Sequence, residues 1–259
     1  MSDTTPLLEL DDVTMEFGGL TALDHVTFDI KPGEILGLIG PNGAGKTTCF
    51  NVMTGVYRAT SGEVRFEGQP LGKRKRYEIT KLGIARTFQN VRLFKSMTAL
   101  ENVKVGADIH SKSGIFSALA RTPGLRKAEA DAEATAKELL DFVGVGKRRN
   151  DVASSLPYGD QRRVEIARAL ATGPKLLCLD EPAAGFNPAE KQRLMELIRK
   201  VRDRGYTVLV IEHDMRLVMG VTDRIVVLEF GRKIAEGTPT EIRENPAVIA
   251  AYLGVDDAS

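Results

Sequence analysis

The segment "EILGLIGPNGAGKTT", residues 34–48, decides the fold class of this 259-residue chain. It opens with an apolar run, which indicates a buried strand, and continues into a glycine-rich loop that fits the pattern GxxxxGK followed by Ser or Thr. Gly43 and Gly45 permit backbone angles that turn successive N–H groups toward a phosphate. Lys46 supplies a positive charge, and the Thr47 hydroxyl can bind Mg²⁺. The segment therefore predicts a strand, a phosphate-binding loop and a helix in succession, with an ordinary glycine turn as the alternative.

Further apolar runs have the same character as the one before the loop. They are "KLLCLDE" (175–181), "TVLVIEH" (207–213) and "DRIVVLEFG" (223–231). Runs rich in Val, Ile and Leu predict strands that are buried on both faces of a parallel sheet. They alternate with helical patterns such as 189–204, whose apolar face ends at Gly205. The chain is therefore predicted to have an α/β fold.

Other parts of the chain depart from this alternation. The first thirty residues and 61–69 ("SGEVRFEGQ") indicate antiparallel strands with turns. Residues 90–155 contain no convincing strand and include the Ala-rich helical pattern "KAEADAEATAKELLDFVGV" (127–145). A loop is expected around "SKSGIFSALARTPG" (111–124). The predicted architecture is a P-loop NTPase core with an N-terminal antiparallel β subdomain and an inserted α-helical subdomain.

Candidate catalytic side chains follow the predicted strands. "LLCLDEP" (176–182) ends in Asp180 and Glu181. Because ligands in open α/β sheets bind at the carboxyl ends of strands, we expect Asp180 to hold Mg²⁺ through water and Glu181 to orient or deprotonate an attacking water. The alternative for Asp180 and Glu181 is that they are simply solvated at the end of the strand or cap a helix. His213 ends the next strand and could reach a γ-phosphate, although a lone histidine is more often structural. Gln89 is of interest because it lies at the junction of the core and the helical subdomain.

Composition limits the remaining classes. Thirty-six basic and 35 acidic residues leave a net charge of +1, which gives no strong field for nucleic acid or an anionic membrane. Cys49 and Cys178 have no CxxC neighbour, so we expect buried, reduced thiols rather than a disulfide framework or a zinc site. No run approaches the roughly 18 apolar residues of a membrane helix. Other subunits must therefore cross the membrane if this protein acts there.

The stretch "LPYGDQRR" (156–163) predicts the start of a helix, with Pro157 and Gly159 at the turn. It has no nucleophile, no metal cluster and no general base with a partner beside it. Its purpose must depend on other parts of the chain.

Taken together, in order and spacing, the phosphate loop, Gln89, "LPYGDQ", "LLCLDEP" and His213 resemble the ATP-binding subunits of ABC transporters over about residues 7–254. The resemblance implies a single ATPase domain over 1–259, in which 7–89 and 156–254 form the core with its β subdomain and 90–155 the helical subdomain. It implies ATP and Mg²⁺ as cofactors. The implied ATP-binding residues are Phe17, Gly40, Pro41, Asn42, Gly43, Ala44, Gly45, Lys46, Thr47 and Thr48. The implied catalytic residues are Glu181, His213 and Gln89, and the implied metal ligands are Thr47, Gln89 and Asp180.

The family's helix-start signature is usually LSGGQ. It aligns here with Leu156, Pro157, Tyr158, Gly159 and Asp160, followed by Gln161. In the family this segment serves the nucleotide held by the other protomer of a head-to-tail dimer, so its helix N-terminus and glycine N–H groups stabilise a phosphate bound elsewhere.

Two positions, Pro157 and Asn187, depart from the family pattern, and a third, Phe17, matches it but has an alternative interpretation. Pro157 replaces the serine whose hydroxyl normally touches the γ-phosphate, so that hydrogen bond must be absent or taken over by the Gly159 N–H. Asn187 stands where the dimer-contact loop often has aspartate. Phe17 aligns with the aromatic residue that stacks on adenine, and a core phenylalanine in a small sheet is an equally good interpretation.

Within the family, "GLTALDHVTF" (19–28), the longer helical insertion and the tail "GTPTEIRENPAVIAAYLG" (237–254) resemble the larger ATPase of branched-chain amino-acid importers. Importers of urea or short amides and the lipopolysaccharide-export ATPase are the alternatives. The implied partners are transmembrane permease subunits, a second ATPase subunit of the same or a different sequence, and indirectly a solute-binding protein. The implied location is peripheral, on the cytoplasmic face of the inner membrane, with no nucleic-acid partner.

ATPases of other classes fit less well. A DNA-repair or chromosome-organising ATPase needs a long heptad coiled coil, and the roughly 65 residues between Gln89 and Leu156 are too few. A translation factor of this superfamily would carry two cassettes in one chain. The basic run "KRKR" (73–76) is more typical of a solvated surface than of a nucleic-acid site. A non-catalytic regulatory cassette is disfavoured because Lys46, the Asp180–Glu181 pair and His213 are all present.

Overall fold

The computed structural model describes residues 5–110 and 123–253. The chain divides into two compact units. We call Met1–Ile79 with Leu176–Ser259 the core unit, and Thr80–Lys175 the helical unit. Residues 111–122 of the predicted loop lie outside the described residues.

The elements follow the predicted alternation. The strands are β1 Leu8–Phe17, β2 Leu20–Ile30, β3 Ile35–Ile39, β4 Ser61–Phe66, β5 Gln69–Pro70, β6 Ile84–Arg86, β7 Leu176–Asp180, β8 Thr207–Ile211, β9 Arg224–Glu229 and β10 Arg232–Gly237. The helices are α1 Lys46–Met53, α2 Arg76–Leu82, α3 Ala99–Ala107, α4 Pro123–Phe142, α5 Tyr158–Leu170, α6 Pro188–Asp203, α7 Met215–Val221, α8 Pro239–Glu244 and α9 Pro246–Leu253. Short 3-10 turns lie at Asp108–His110, Gly146–Arg148 and Ala153–Ser155.

The main sheet of the core unit is built on the apolar runs. β3 lies between β8 and β9 and is parallel to both, and β7 is parallel to β8. Every residue of β3, β7 and β8 is buried. The prediction of buried parallel strands is therefore confirmed. β10 adds an antiparallel edge to β9, which the sequence pattern had not predicted. Because β3, β7 and β8 are parallel, the side chains that follow them meet at one edge of the sheet.

The second sheet of the core unit is antiparallel, with strand order β2-β1-β4-β5, as the first thirty residues and 61–69 predicted. Arg224 of β9 ties this sheet to the main one. Its guanidinium donates to the Asp29 backbone carbonyl at 2.7 Å and to a Glu34 carboxylate oxygen at 2.7 Å. Cys49 and Cys178 are free thiols buried in the core, as predicted. Burial raises the pKa of the Cys49 thiol, so it stays protonated.

The helical unit contains the predicted Ala-rich helix, which begins earlier than the pattern indicated and spans Pro123–Phe142. Helix α3 starts at a capping box in which Thr98 and Glu101 bond each other's backbone N–H. Within the described part of 90–155, the strand pairing is limited to one bridge between Thr98 and Val152. Helix α5 begins at Tyr158, so Pro157 is the cap and Gly159 lies inside the helix rather than in the turn.

Candidate functional site

The loop after β3 has the backbone shape that its glycines predict. Gly40, Gly43 and Gly45 have φ values of 153°, 80° and 95°, which favour glycine. A Cβ on Gly40 would lie 2.1 Å from the Leu228 carbonyl oxygen, and one on Gly45 would lie 2.7 Å from that of Ala22. The turn between β9 and β10 braces the loop, since the Gly231 N–H donates to the Ala44 carbonyl at 3.1 Å. Neighbouring backbone therefore packs directly against the loop and holds it in this shape.

Lys46 begins helix α1 and folds back across the loop. Its Nζ donates to the carbonyl oxygens of Gly40 and Pro41 at 2.7 and 2.8 Å. Burial lowers the pKa of this ammonium, and the Glu181 carboxylate opposes the shift. The positive charge is thus held at the mouth of the loop, close to a carboxylate of another strand.

A cavity of about 410 Å³ opens beside the loop, within the size range of small-molecule sites. Its wall includes most of the predicted ATP-binding residues together with one predicted catalytic residue. The lining residues are Leu20, Thr21, Ala22, Asn42, Gly43, Ala44, Gly45, Lys46, Thr47, Thr48, Glu181, Phe230 and Gly231. Backbone N–H groups, an ammonium and hydroxyls suit a polyphosphate, and hydroxyl and carboxylate oxygens suit Mg²⁺. The residues present therefore fit a Mg-nucleotide.

Asp180 and Glu181 lie at the end of β7, where the sequence placed them. Asp180 is buried as the last strand residue, and Glu181 follows with φ 43°. A non-glycine residue at such a positive φ costs about 1–2 kcal/mol. The Glu181 N–H donates to the Ile211 carbonyl at 2.9 Å, which holds the strained residue against the end of β8. The positive φ turns the chain sharply after β7, and the Glu181 side chain becomes part of the cavity wall.

His213 lies next to Glu181 at the end of β8. Its Nδ1 is 3.9 Å from Glu181 Oε1, and its side chain is 64% exposed. That exposure leaves the imidazole accessible to a ligand. The structure therefore brings together three of the predicted residues, Lys46, Glu181 and His213.

Sequence reasoning missed Glu212, the residue before His213. Its carboxylate is 1% exposed and accepts three backbone N–H groups, from Ala183 at 2.8 Å, His213 at 3.2 Å and Asp214 at 3.4 Å. Glu212 thus joins the loop that follows Glu181 to the residues around His213. The available signal was an acid inside an apolar strand pattern, "TVLVIEH", where burial demands partners.

The aromatic residue Phe17 ends β1 and is 40% exposed. Its ring packs edge to face on Tyr57, with 5.2 Å between the centroids. A fully buried core phenylalanine is therefore excluded. Among the described residues, Phe17 is not part of the cavity wall, whereas the exposed side chains of Leu20 and Phe230 are.

Gln89 and the signature positions belong to the helical unit. Gln89 follows β6 and is exposed, and its backbone carbonyl accepts from Arg162 at 2.5 Å. Leu156 is buried, while the Gln161 side chain donates to the Leu156 carbonyl at 2.8 Å. The cap residue Pro157 makes no side-chain bond to the helix start.

Charge at the signature is balanced locally. Asp160 is 9% exposed and pairs with Arg163, and its second oxygen is 3.4 Å from Arg148 Nε. Asn187 caps α6 in a capping box with Glu190, a role that aspartate fills equally well. The helix cap is therefore intact although residue 187 is asparagine rather than aspartate.

Within residues 5–110 and 123–253, none of the helices is both long and apolar enough to cross a membrane.

Comparison with known proteins places this geometry in a family. A family model described as "ABC transporter" matches residues 23–184, and one described as "Branched-chain amino acid ATP-binding cassette transporter" matches residues 232–258. The chain is 49% identical over 250 residues to the high-affinity branched-chain amino acid transport ATP-binding protein LivG of Escherichia coli (strain K12), covering 96% of this chain and 98% of the relative.

Solved structures agree with the sequence comparison. The ADP conformation of MJ1267, an ATP-binding cassette of an ABC transporter, has a TM-score of 0.84 and 32% identity, covering 97% of this chain and 100% of that one. The dimeric ATP-binding cassette MJ0796 in a post-hydrolysis state, bound to ADP and Pi, has a TM-score of 0.75 and 28% identity, covering 90% of this chain and 98% of that one.

Proposed function

This chain belongs to the family of ABC transporter ATP-binding proteins, which are ATPases coupled to transport, and we propose that its transporter imports branched-chain amino acids. The observation that supports this cargo is the tail. Residues 232–258 match the branched-chain amino-acid family model, and that match lies outside the segment matched by the general ABC model. The near full-length identity to LivG supports the same cargo.

The proposed site uses the residues around the loop cavity. The backbone N–H groups of residues 42–48 and the Lys46 ammonium bind the phosphates, and Thr47 with Asp180 holds Mg²⁺. Bound Mg²⁺ would neutralise charge on the phosphate oxygens. Phe17 contacts the adenine, and Gln89 completes the metal site as the resemblance implies.

Hydrolysis depends on Glu181 in this proposal. Its carboxylate accepts a proton from the attacking water, which it also orients. His213, 3.9 Å away, contacts the γ-phosphate side of the site and steadies the carboxylate. The strained backbone of Glu181 supports this assignment, because non-glycine residues at positive φ are concentrated at functional sites.

The working assembly in this proposal is a head-to-tail dimer on transmembrane permease subunits. Leu156–Gln161 acts on the nucleotide of the other protomer, which is a second copy of this chain or a different ATPase. The assembly lies on the cytoplasmic face of the inner membrane and receives its cargo from a solute-binding protein. The chain itself is one ATPase domain, with 90–155 as its helical subdomain.

Glu181→Gln tests the chemistry. ATP binding should be retained, because Lys46, Thr47 and Asp180 are unchanged, while turnover falls by about 10²–10⁴, the usual contribution of a positioned base. The matched control is Glu196→Gln, the same change on the exposed face of α6, which should hydrolyse ATP normally. Near-normal turnover by Glu181→Gln would remove Glu181 from this role.

Uptake by proteoliposomes containing the permease subunits that co-purify with this chain tests the cargo. ATP is enclosed in the vesicle lumen, and labelled leucine, isoleucine or valine is added outside. The labelled amino acid should accumulate in the lumen, because an importer moves its cargo to the side of the membrane that carries its ATPase subunits. Glu181→Gln should abolish this accumulation. Uptake of urea or a short amide in place of leucine would refute the cargo and leave the ATPase assignment intact.

A further inference from the structure

Arg162 is the largest fully buried side chain of the described residues, and it directly follows the signature positions on α5. In the sequence it belongs to "DQRR", which is typical of an exposed helix face. Burying a guanidinium costs several kcal/mol unless it is paired and hydrogen-bonded. The partners of Arg162 therefore indicate what its burial achieves.

The guanidinium binds two consecutive backbone carbonyls. Nη1 donates to the Phe88 oxygen at 2.5 Å, and Nη2 donates to the Gln89 oxygen at 2.5 Å. Nη2 also donates to the Tyr158 hydroxyl at 3.2 Å, inside the signature. Because the donors of arginine form a rigid planar fork, this contact fixes the orientation of the Gln89 peptide relative to the first turn of α5.

Glu165, one turn further along α5, completes the attachment. It is 1% exposed and accepts from Arg162 Nη1 at 2.9 Å. Its other oxygen accepts the backbone N–H of Arg92 at 3.2 Å. The buried pair therefore holds both ends of residues 88–92, which we call the Gln89 segment.

The next residues of the chain are held by the same helix and by α3. The Arg168 guanidinium of α5 lies over the Phe94 ring, 5.8 Å from its centroid. Asn102 of α3 is fully buried, accepts the Phe94 N–H at 2.8 Å and donates to the Phe94 carbonyl at 3.1 Å. The attachment thus continues to Phe94, in the stretch "VRLFKSMTALENV" (91–103), which the family resemblance leads us to expect at the contact with a cytoplasmic helix of the permease.

We propose that Arg162 and Glu165 are positioning residues that fasten the Gln89 segment to the signature helix, so that Gln89 and the signature move as one body. The inference rests on the proposed function, which gives Gln89 and the signature their roles. A permease contact that displaces residues 91–98 would then shift the signature helix directly. Gln89 and the signature would then change position in the same step.

The competing explanation is that Arg162 and Glu165 form an ion pair that only stabilises the fold. Replacing both residues with apolar ones distinguishes this explanation from a positioning role. Replacing a buried ion pair by hydrophobic residues of similar volume is often neutral or stabilising, so Arg162→Met with Glu165→Leu should fold. It removes the bonds to the two carbonyls and to the Arg92 N–H. Arg162→Lys keeps the charge opposite Glu165 but cannot bind both carbonyls with a planar fork.

Hydrogen exchange of the intact chain, measured without nucleotide, reads the attachment directly. In the Met/Leu double variant the Arg92 amide and its neighbours in 88–92 should exchange about tenfold faster or more, because charge-assisted hydrogen bonds are lost. Arg162→Lys should give an intermediate increase. Unchanged exchange rates at 88–92 in a folded double variant would overturn the proposal, regardless of how well that variant binds or hydrolyses ATP.

Turnover then tests the link to catalysis. The double variant should bind ATP with a Kd within about threefold of wild type, because the phosphate loop is untouched, while kcat falls about tenfold or more. Wild-type kcat despite faster exchange would overturn the positioning role. Failure of the wild-type chain to bind or hydrolyse ATP would instead refute the proposed function. The exchange result would still show whether Arg162 and Glu165 hold residues 88–92, because it is measured without nucleotide.

Arg149→Met is the matched control. Arg149 also donates to a backbone carbonyl in the helical unit, that of Gly146 at 2.8 Å, and pairs with Asp141. Its removal should leave both the exchange at 88–92 and kcat unchanged. Equal effects of the two substitutions would show that general loosening of the unit is responsible and would overturn the assignment to Arg162.

Discussion

Replacing Glu212 with glutamine tests whether one buried carboxylate holds the two loops that carry Glu181 and His213. The substitution keeps the size and shape of the side chain. One oxygen can still accept the Ala183 N–H, whose bond is the shortest of the three at 2.8 Å. The other oxygen becomes an NH₂ group that faces two donors, the N–H groups of His213 and Asp214.

The size of the effect follows from these contacts. Hydrogen bonds to a charged group contribute about 1.5–3 kcal/mol each, and the two lost bonds are long, at 3.2 and 3.4 Å, so the low end applies. The expected loss is about 3 kcal/mol of unfolding free energy. For a chain of this size that lowers Tm by about 6–12 °C.

Thermal unfolding followed by circular dichroism measures the stability, and ATP binding and turnover are measured well below the new Tm. We expect nearly unchanged ATP affinity, because the bonds of Glu212 run to Ala183, His213 and Asp214, whereas the loop around Lys46 is held by Gly231 and by Lys46 itself. We expect kcat to fall, because the His213 and Asp214 N–H groups lose their bonds to residue 212 and His213 is then held less firmly beside Glu181. Glu196→Gln, on the exposed face of α6, is the control and should match wild type in every measurement. A Tm within about 2 °C of wild type together with normal kcat would refute the reasoning.

Three more outcomes are expected. Lys46→Ala and Gly159→Asp should each abolish nucleotide trapping alone, while mixtures of the two should trap nucleotide at one site per mixed dimer; no trapping above background in mixed dimers shown to form would count against action in trans. Phe94→Ala, which truncates a ring that is 48% exposed, should weaken co-purification with permease subunits and leave ATP binding by the free chain intact; loss of ATP binding with normal assembly would show that this surface is misplaced. Phe230→Asn should raise Tm by about 2–4 °C. Phe230 and Gly231 form a two-residue hairpin turn with φ 45° and 78°, where Asn-Gly is favoured, and Phe230 is 85% exposed. A lowered Tm in thermal unfolding would show that the Phe230 ring makes stabilising contacts.

The parallel core could be predicted from sequence because its signal is local. Four runs of Val, Ile and Leu form β3 itself and the strands β7, β8 and β9, and each predicted catalytic residue of the core follows one of these strands. The glycine loop was equally clear, since its residue types are dictated by close backbone such as the Leu228 carbonyl beside Gly40. Local chemistry and fold agree in these places, so the pattern was sufficient.

The supporting residues could not be predicted, because burial of a charged side chain is a tertiary property. Arg162 has an ordinary sequence context, and Glu212 is marked only by its place at the end of an apolar run. The packed structure alone shows that each is enclosed and which backbone groups are its partners. The edge strand β10 was missed for a related reason. Its turn contains Phe230 at a positive φ, where sequence rules expect Asn or Gly.

The signature of this chain shows how a motif can depart from its family pattern without losing its charge balance. Asp160 puts a carboxylate where the usual motif has glutamine, and a negative charge there would oppose an approaching phosphate. The carboxylate lies in the first turn of α5, where the helix dipole favours it, and it is paired with Arg163 and Arg148. One acid against two arginines leaves a positive balance at the helix start. Because the cap at Pro157 makes no side-chain bond, the first-turn N–H groups, including that of Gly159, are what this helix start can offer a phosphate.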